Sequence, residues 1–298
     1  MADITLLDGG LGQMMIARSG DEPTPLWSTR VLIDHPGLAQ GIHADYFAAG
    51  ATVATANTYS VHHDRLEKFD LDPRFAALHA QALSEARAAR DAHGSGRVAG
   101  SLGPLVASYR PDAFPPHAEA VAKYAEIARM DAPLADFFLA ETVASLAHAR
   151  AVLEGAAAGG IPVWLSVTVD DEDGTRLRSG EPVAALGPIL RDGGATAALA
   201  NCSAPEAMAA ALEGLLAFGL PAGAYANGFR QITKEFLKDS PTVAALQSRP
   251  EMTPELYADF AMTWIGMGAR IVGGCCETTP AHIAELSRRL AAAGHRVV

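Results

Sequence analysis

Cys275 and Cys276 stand side by side in Ile271-Val-Gly-Gly-Cys-Cys-Glu-Thr-Thr-Pro280, and the one other cysteine is Cys202, in Ala200-Asn-Cys-Ser-Ala-Pro205. Both contexts read the same way. A short apolar run ends, the thiol follows, and a helix starts just beyond. Thr279 and Pro280 suit an N-cap and a first helical position, and Ser203 and Pro205 open the other helix. All three thiols therefore fall at the exits of strands. Three thiolates suit one soft or borderline cation, usually zinc, and leave its fourth tetrahedral position open. Structural sites are normally closed by four protein ligands, whereas an open position takes water or a substrate. The plain alternative is three buried apolar thiols. The paired glycines before Cys275 and the matching placement of Cys202 favour the metal. Redox chemistry is disfavoured, because adjacent cysteines form strained disulfides and there is no Cys-x-x-Cys.

Other polar residues fall at strand ends too. Ile4-Thr-Leu-Leu-Asp8 stops on an acid and is followed by Gly9, Gly10 and Gly12. Asp136-Phe-Phe-Leu-Ala-Glu141 stops on a second acid, followed by Thr142. Carboxylates beside glycines with exposed N–H groups can hold the charged ends of an amino acid; the alternative is a tight turn with a surface Asp. Asn57-Thr-Tyr59 follows a second strand, Asn201 precedes Cys202, and Tyr225 and Asn227 end a seventh strand. Trp27 lies in a mixed stretch, 13 to 34, that contains Pro23 and Pro25 and is expected to be a long loop.

The elements that must position these groups alternate. Strands are expected at 4–8, 51–56, 97–101, 136–141, 162–168, 195–200, 219–225 and 269–273. Helices are expected near 36–49, 73–92, 117–130, 145–158, after Pro182, 205–217, 254–266 and 281–292, with Asp34 as a cap for the first. Eight β–α units argue for parallel strands and a single TIM-type (β/α)8 barrel domain spanning 1–298, with the zinc site on its C-terminal rim. An open doubly wound sheet is the alternative. A ring alone sets strand 1 beside strand 8, so that Asp8 can face Cys275. Candidate polar residues occur at the ends of every strand but the third.

The 298 residues, 49% of them hydrophobic, suffice for a large core. A net charge of −11 disfavours nucleic acid and anionic membranes as partners. There is no span-length apolar run and no signal-peptide pattern, and the unpaired thiols suit a reducing compartment, so a cytoplasmic location is expected. Small molecules are the expected partners; self-association is left open.

Gly273-Gly-Cys-Cys276 with Asn201-Cys202 resembles the homocysteine S-methyltransferase family of zinc-dependent thiol methyltransferases, and the resemblance runs along essentially the whole chain. It implies that Cys202, Cys275 and Cys276 bind Zn2+, that Asp8-Gly9-Gly10 binds homocysteine and that Glu141 holds its amino group. Trp164-Leu-Ser-Val-Thr-Val169 and Arg178-Ser-Gly-Glu-Pro182 are similar to the family's fifth-strand block. The implied reaction is attack of the homocysteine thiolate on the methyl group of an onium donor, giving methionine. The donor would be S-methylmethionine, S-adenosylmethionine or betaine, and Leu26-Trp27-Ser28 resembles a donor-side loop. Tyr59 with Arg65-Leu-Glu67 looks like the betaine branch, whereas Thr142 stands where that branch has an aromatic residue. Trp27 and Tyr59 suit any onium group, since cations sit well over aromatic faces; plain packing is the alternative for both. Two other functions stay open: a zinc-binding barrel without catalysis, which would not need Asp8 or Glu141, and methylation of another thiol or a selenol.

Overall fold

The computed structural model describes residues 1–230, 232 and 248–298. The strands among them are β1 (Asp3–Leu6), β2 (Val53–Thr55), β3 (Arg97–Leu102), β4 (Phe137–Val143), β5 (Val163–Val167), β6 (Ala197–Asn201), β7 (Ala222–Tyr225), β8 (Ile271–Val272) and β9 (Arg296–Val297). Between them run α1 (Leu11–Ser19), α2 (Ser28–Asp34), α3 (Leu38–Ala48), α4 (His63–Leu66), α5 (Phe75–His93), α6 (His117–Asp131), α7 (Leu146–Ala156), α8 (Leu186–Asp192), α9 (Met208–Leu216), α10 (Pro254–Met267) and α11 (Pro280–Ala292).

The strands form one parallel sheet in the order β2-β3-β4-β5-β6-β7-β8-β1-β9. The first strand does lie beside the eighth: Thr5 pairs with Ile271 and Leu6 with Val272. On its other side, the Leu6 carbonyl accepts the N–H of Thr52, the residue leading into β2, at 2.7 Å. The sheet thus curls until β1 meets the start of β2.

Both faces of this sheet are buried, which is why its strands read as apolar runs and not as alternations of apolar and polar residues. β5 shows the division. All five of its residues are buried; Val163, Leu165 and Val167 pack toward the helices while Trp164 turns the other way. Trp164 belongs to an inner cluster that draws on eight strands: Leu7 just beyond β1, Val53, Ala99, Leu139, Trp164, Leu199, Tyr225 and Ile271. Arg97 lies over the Phe137 and Trp164 rings, at 5.1 and 5.0 Å from their centroids.

Three expectations are corrected. Residues 13–34 are not one long loop. Leu11 and Met15 bury one face of α1, and Val31 and Leu32 bury α2, leaving only residues 20–27 as a connection. Asp34 does not cap the next helix: it ends α2 and accepts a hydrogen bond from Arg30, while Gly37 precedes α3 at φ +88°. A ninth strand, too short and polar to be read from the sequence, pairs Arg296 with Asp3. No helix among the described residues is long and apolar enough to cross a membrane.

Candidate functional site

The loops after β6, β7 and β8 are sewn together by backbone bonds. Cys202 donates its N–H to the Tyr225 carbonyl at 3.2 Å, and Cys275 donates to the Ala226 carbonyl at 3.1 Å. β7 brings no sulfur but sets the spacing of the two loops that do. Beyond the cysteines, Thr279 and Pro280 start α11 as expected, with Thr279 and His282 forming a capping box. Thr278 turns back to donate its hydroxyl to the Cys275 carbonyl at 2.7 Å. Gly274 lets that turn close: a Cβ there would stand 2.0 Å from Thr278 Oγ1.

The three sulfurs lie within 4.8 Å of one another. Cys202 Sγ is 3.6 Å from Cys276 Sγ and 2.8 Å from Cys275 Sγ. Two thiolates on one tetrahedral zinc, each about 2.3 Å from it, stand roughly 3.8 Å apart. The first pair already matches that edge, and the second needs to open by about 1 Å. Cys202 accepts hydrogen bonds from Cys275, Cys276 and the Tyr109 hydroxyl, which hold its thiol well below the ordinary range. Beside that anion, Cys275 and Cys276 are pushed well up, chiefly by their bonds to Cys202. The three-sulfur donor set and its spacing fit a divalent cation, and Cys202 is already disposed to carry negative charge.

A cavity of about 210 Å³ opens beside the sulfurs and reaches both acids. Asp8 is 3% exposed and accepts from the Thr55 N–H at 2.7 Å and the Thr55 hydroxyl at 2.8 Å. Burial lifts its carboxyl to about 7 against the pull of those bonds, and the Glu141 charge adds a smaller push. Glu141 accepts from Ser101 Oγ at 2.6 Å and from the Tyr225 hydroxyl at 3.1 Å. Burial raises it, too, to about 7. Two buried carboxyls that resist ionising gain most from an incoming cation such as an ammonium group.

The remaining sequence candidates divide. Trp27, Tyr59, Thr142 and Tyr225 border the cavity. Asn201 does not: it is fully buried and spent on a clamp. Its Oδ1 accepts from the Thr142 N–H and the Ser166 hydroxyl, both at 2.9 Å, and its Nδ2 donates to Thr142 Oγ1 at 3.1 Å. Asn201 therefore holds Thr142 in place. Gly9 and Gly10 line the cavity, but the Gly10 N–H is given to the Thr278 carbonyl at 2.9 Å. Their missing side chains serve close approach, since a Cβ on Gly10 would lie 2.8 Å from the Cys275 carbonyl oxygen.

Backbone strain gathers here. Trp27, Val106, Tyr109, Thr142 and Cys202, all on the cavity, and Glu277, next to Cys276, have φ between +49° and +65°. Each such residue costs on the order of 1–3 kcal/mol, which the surrounding contacts must offset. Gln13 braces Glu277, donating to its carboxylate and accepting from its N–H.

Several participants escape a reading of the sequence. Ser101 is the last residue but one of β3, the strand without a candidate; the one signal was a hydroxyl near the end of an apolar run, where the first and fourth runs carry acids. Tyr109 donates to Cys202 Sγ at 2.9 Å, and the Arg178 guanidinium lies 5.7 Å from its ring centroid. Arg178 is paired with both Asp171 oxygens, at 2.8 and 2.9 Å, and Asp171 also accepts from the Ala204 N–H at 2.8 Å. Nothing in the spacing of Tyr109 and Asp171 announces this support behind Cys202, and Arg178 stands out only through the resemblance of its block.

Comparison with known proteins agrees with the geometry. The family described as homocysteine S-methyltransferase matches residues 5–290. The chain is 32% identical to homocysteine S-methyltransferase of Escherichia coli (strain K12), over 96% of this chain and 95% of that one. It is 29% identical to methionine synthase of Mycobacterium tuberculosis over 86% of its own length and 22% of the relative's. The metallated form of the E. coli homocysteine methyltransferase MmuM superposes with a TM-score of 0.81 at 29% identity, covering 96% of each chain. Its apo form gives 0.73.

Proposed function

This chain belongs to the homocysteine S-methyltransferase family, and we propose that it transfers a methyl group from an onium donor to the thiol of L-homocysteine, with zinc held by Cys202, Cys275 and Cys276. The observation that carries this reading is the meeting of three sulfurs and two raised carboxyls on one cavity. The inner cluster fed by eight strands and the Leu6–Thr52 bond support a closed (β/α)8 barrel, one domain across 1–298. In that barrel the cysteines, Asp8 and Glu141 share the rim where the strands end, as barrel sites do.

A zinc ion bound by three thiolates supplies an open position that keeps a substrate thiol deprotonated near neutral pH. Glu141, oriented by Ser101 and Tyr225, holds the acceptor's ammonium group, and Asp8, held by Thr55, adds charge on the same side. Thr142, fixed by Asn201, shapes the wall between Glu141 and Cys202. Trp27 and Tyr59 offer aromatic faces to the donor's cation. Attack of a thiolate on a sulfonium or quaternary ammonium neutralises charge, so a dry cavity favours the transition state. The leaving group is then a neutral thioether or amine.

The test is a donor screen. Zinc-loaded protein is incubated with homocysteine and, separately, S-methylmethionine, S-adenosylmethionine and betaine, and methionine is read by mass spectrometry. Methionine above the no-protein control with at least one donor supports the assignment; none with any donor refutes it.

A further inference from the structure

Arg65 lies in the last turn of α4 and borders the same cavity as the acids. Its surroundings are unusual for a guanidinium. One Nη2 reaches the Pro104 carbonyl and Ser108 Oγ, both at a long 3.4 Å. Its Nε is buried with no hydrogen-bond partner. The preceding acid, Asp64, turns away to Lys123 at 2.6 Å, and no carboxylate among the described residues lies within ion-pair distance of Arg65. A sunken guanidinium with weak partners is costly unless something completes it. Its planar fork of donors matches a carboxylate.

We infer that Arg65 anchors the carboxylate of the methyl donor, so that the pocket selects sulfonium or quaternary ammonium compounds carrying an acid group on the same molecule. This rests on the methyl-transfer reading above and adds to it the residue that reads the donor's acid group. Ser108 Oγ, which Arg65 touches, also meets the Tyr59 hydroxyl at 2.9 Å. The aromatic face for the onium and the fork for the anion thus share one wall. Asp8 and Glu141 take the acceptor's ammonium group at their end of the cavity. The acceptor's own carboxylate is borne by the carbon that carries its ammonium group, so it stays beside those acids. A donor without an acid group would set its cation near an uncompensated Arg65, which repels it; the same residue therefore rejects as well as selects.

The test is equilibrium binding to the zinc-loaded protein. S-methylmethionine and betaine are each compared with their carboxamides, which keep size and onium charge but lose the anion. Homocysteine affinity is measured alongside. Wild type should bind at least one acid donor roughly 10–150-fold more tightly than its amide, the worth of a charge-assisted hydrogen-bonded pair. Arg65→Gln should erase that preference, with homocysteine affinity within about twofold of wild type and amide affinity equal to wild type or higher. Arg65→Lys, which keeps charge but loses the fork, should fall between and serves if the Gln variant does not fold. The inference is overturned if wild type shows no acid-over-amide preference, if Arg65→Gln keeps the preference, or if the loss falls equally on the amide or on homocysteine. Methionine formation is scored separately: an Arg65-dependent preference without methionine refutes the reaction and leaves the anchor standing, and methionine formation with an unchanged preference does the reverse.

Discussion

Asn201 Oδ1 accepts the backbone N–H of Thr142 at 2.9 Å, deep under the cavity floor. Each partner is one residue from a group that faces the cavity: Asn201 precedes Cys202, and Thr142 follows Glu141. One buried bond therefore fixes a sulfur against an acid, and it holds Thr142 at φ +57° where a threonine would not otherwise settle.

Asn201→Ala should therefore damage stability and acceptor binding together. It strips the acceptor from two buried donors, the Thr142 N–H and the Ser166 hydroxyl, at a cost of about 1–3 kcal/mol each. Denaturant melts should show that loss, and titration should show weaker homocysteine binding. A variant as stable as wild type would mean the clamp contributes nothing.

Tyr109→Phe should keep all three thiols but weaken their grip on the metal. The lost hydroxyl donates to Cys202 Sγ at 2.9 Å. Removing such an outer partner typically lowers metal affinity roughly 10–100-fold. Competition with a chromophoric chelator reads the change; an affinity equal to wild type would make Tyr109 a packing residue alone.

Sequence alone exposes the chemical groups better than their support. Cys202, Cys275, Cys276, Asp8 and Glu141 sit at the ends of recognisable apolar runs, and that pattern needs no tertiary knowledge. Asn201 also sits at such an end, yet its side chain turns down into the sheet, and only the neighbouring strand reveals that. Ser101, Tyr109 and Asp171 matter through contacts 33 to 93 residues apart, to Glu141, Cys202 and the Ala204 N–H, which no local spacing encodes. The stretch from 13 to 34 misleads because Pro23 and Pro25 dominate it, whereas burial of Met15 and Leu32 makes its flanks helical.

The pH dependence of acceptor binding should report Glu141. Folding raises its carboxyl from 4.5 to about 7 through burial, so it is largely neutral below that value and cannot hold an ammonium group. The affinity advantage of wild type over Glu141→Gln should be full above pH 7 and shrink as pH falls through it. Stability runs the other way. Between 4.5 and about 7 the native state holds a proton that the unfolded chain releases, so folding loses stability as pH rises through that window. Without substrate, Glu141→Gln should thus melt higher than wild type at pH 8, with the difference vanishing at pH 4.5. An identical melting gap at both pH values would contradict the raised carboxyl.

Trp27→Ala should act on the donor and spare the acceptor. Trp27 holds φ +56° at the start of α2 and borders the cavity, away from the sulfurs' own loops. Loss of an indole face costs a bound cation about 0.5–2 kcal/mol, so the donor's KM should rise roughly 2–30-fold. Metal content and homocysteine affinity should hold. An unchanged donor KM and turnover would move the onium to Tyr59 or Tyr225.

The central claim is that Cys202, Cys275 and Cys276 hold a metal whose open position takes the substrate thiol. X-ray absorption at the zinc edge counts the sulfurs directly. The zinc-loaded protein should show about three sulfurs near 2.3 Å, and about four once L-homocysteine saturates it. A sulfur count that stays the same with and without saturating homocysteine would contradict the account.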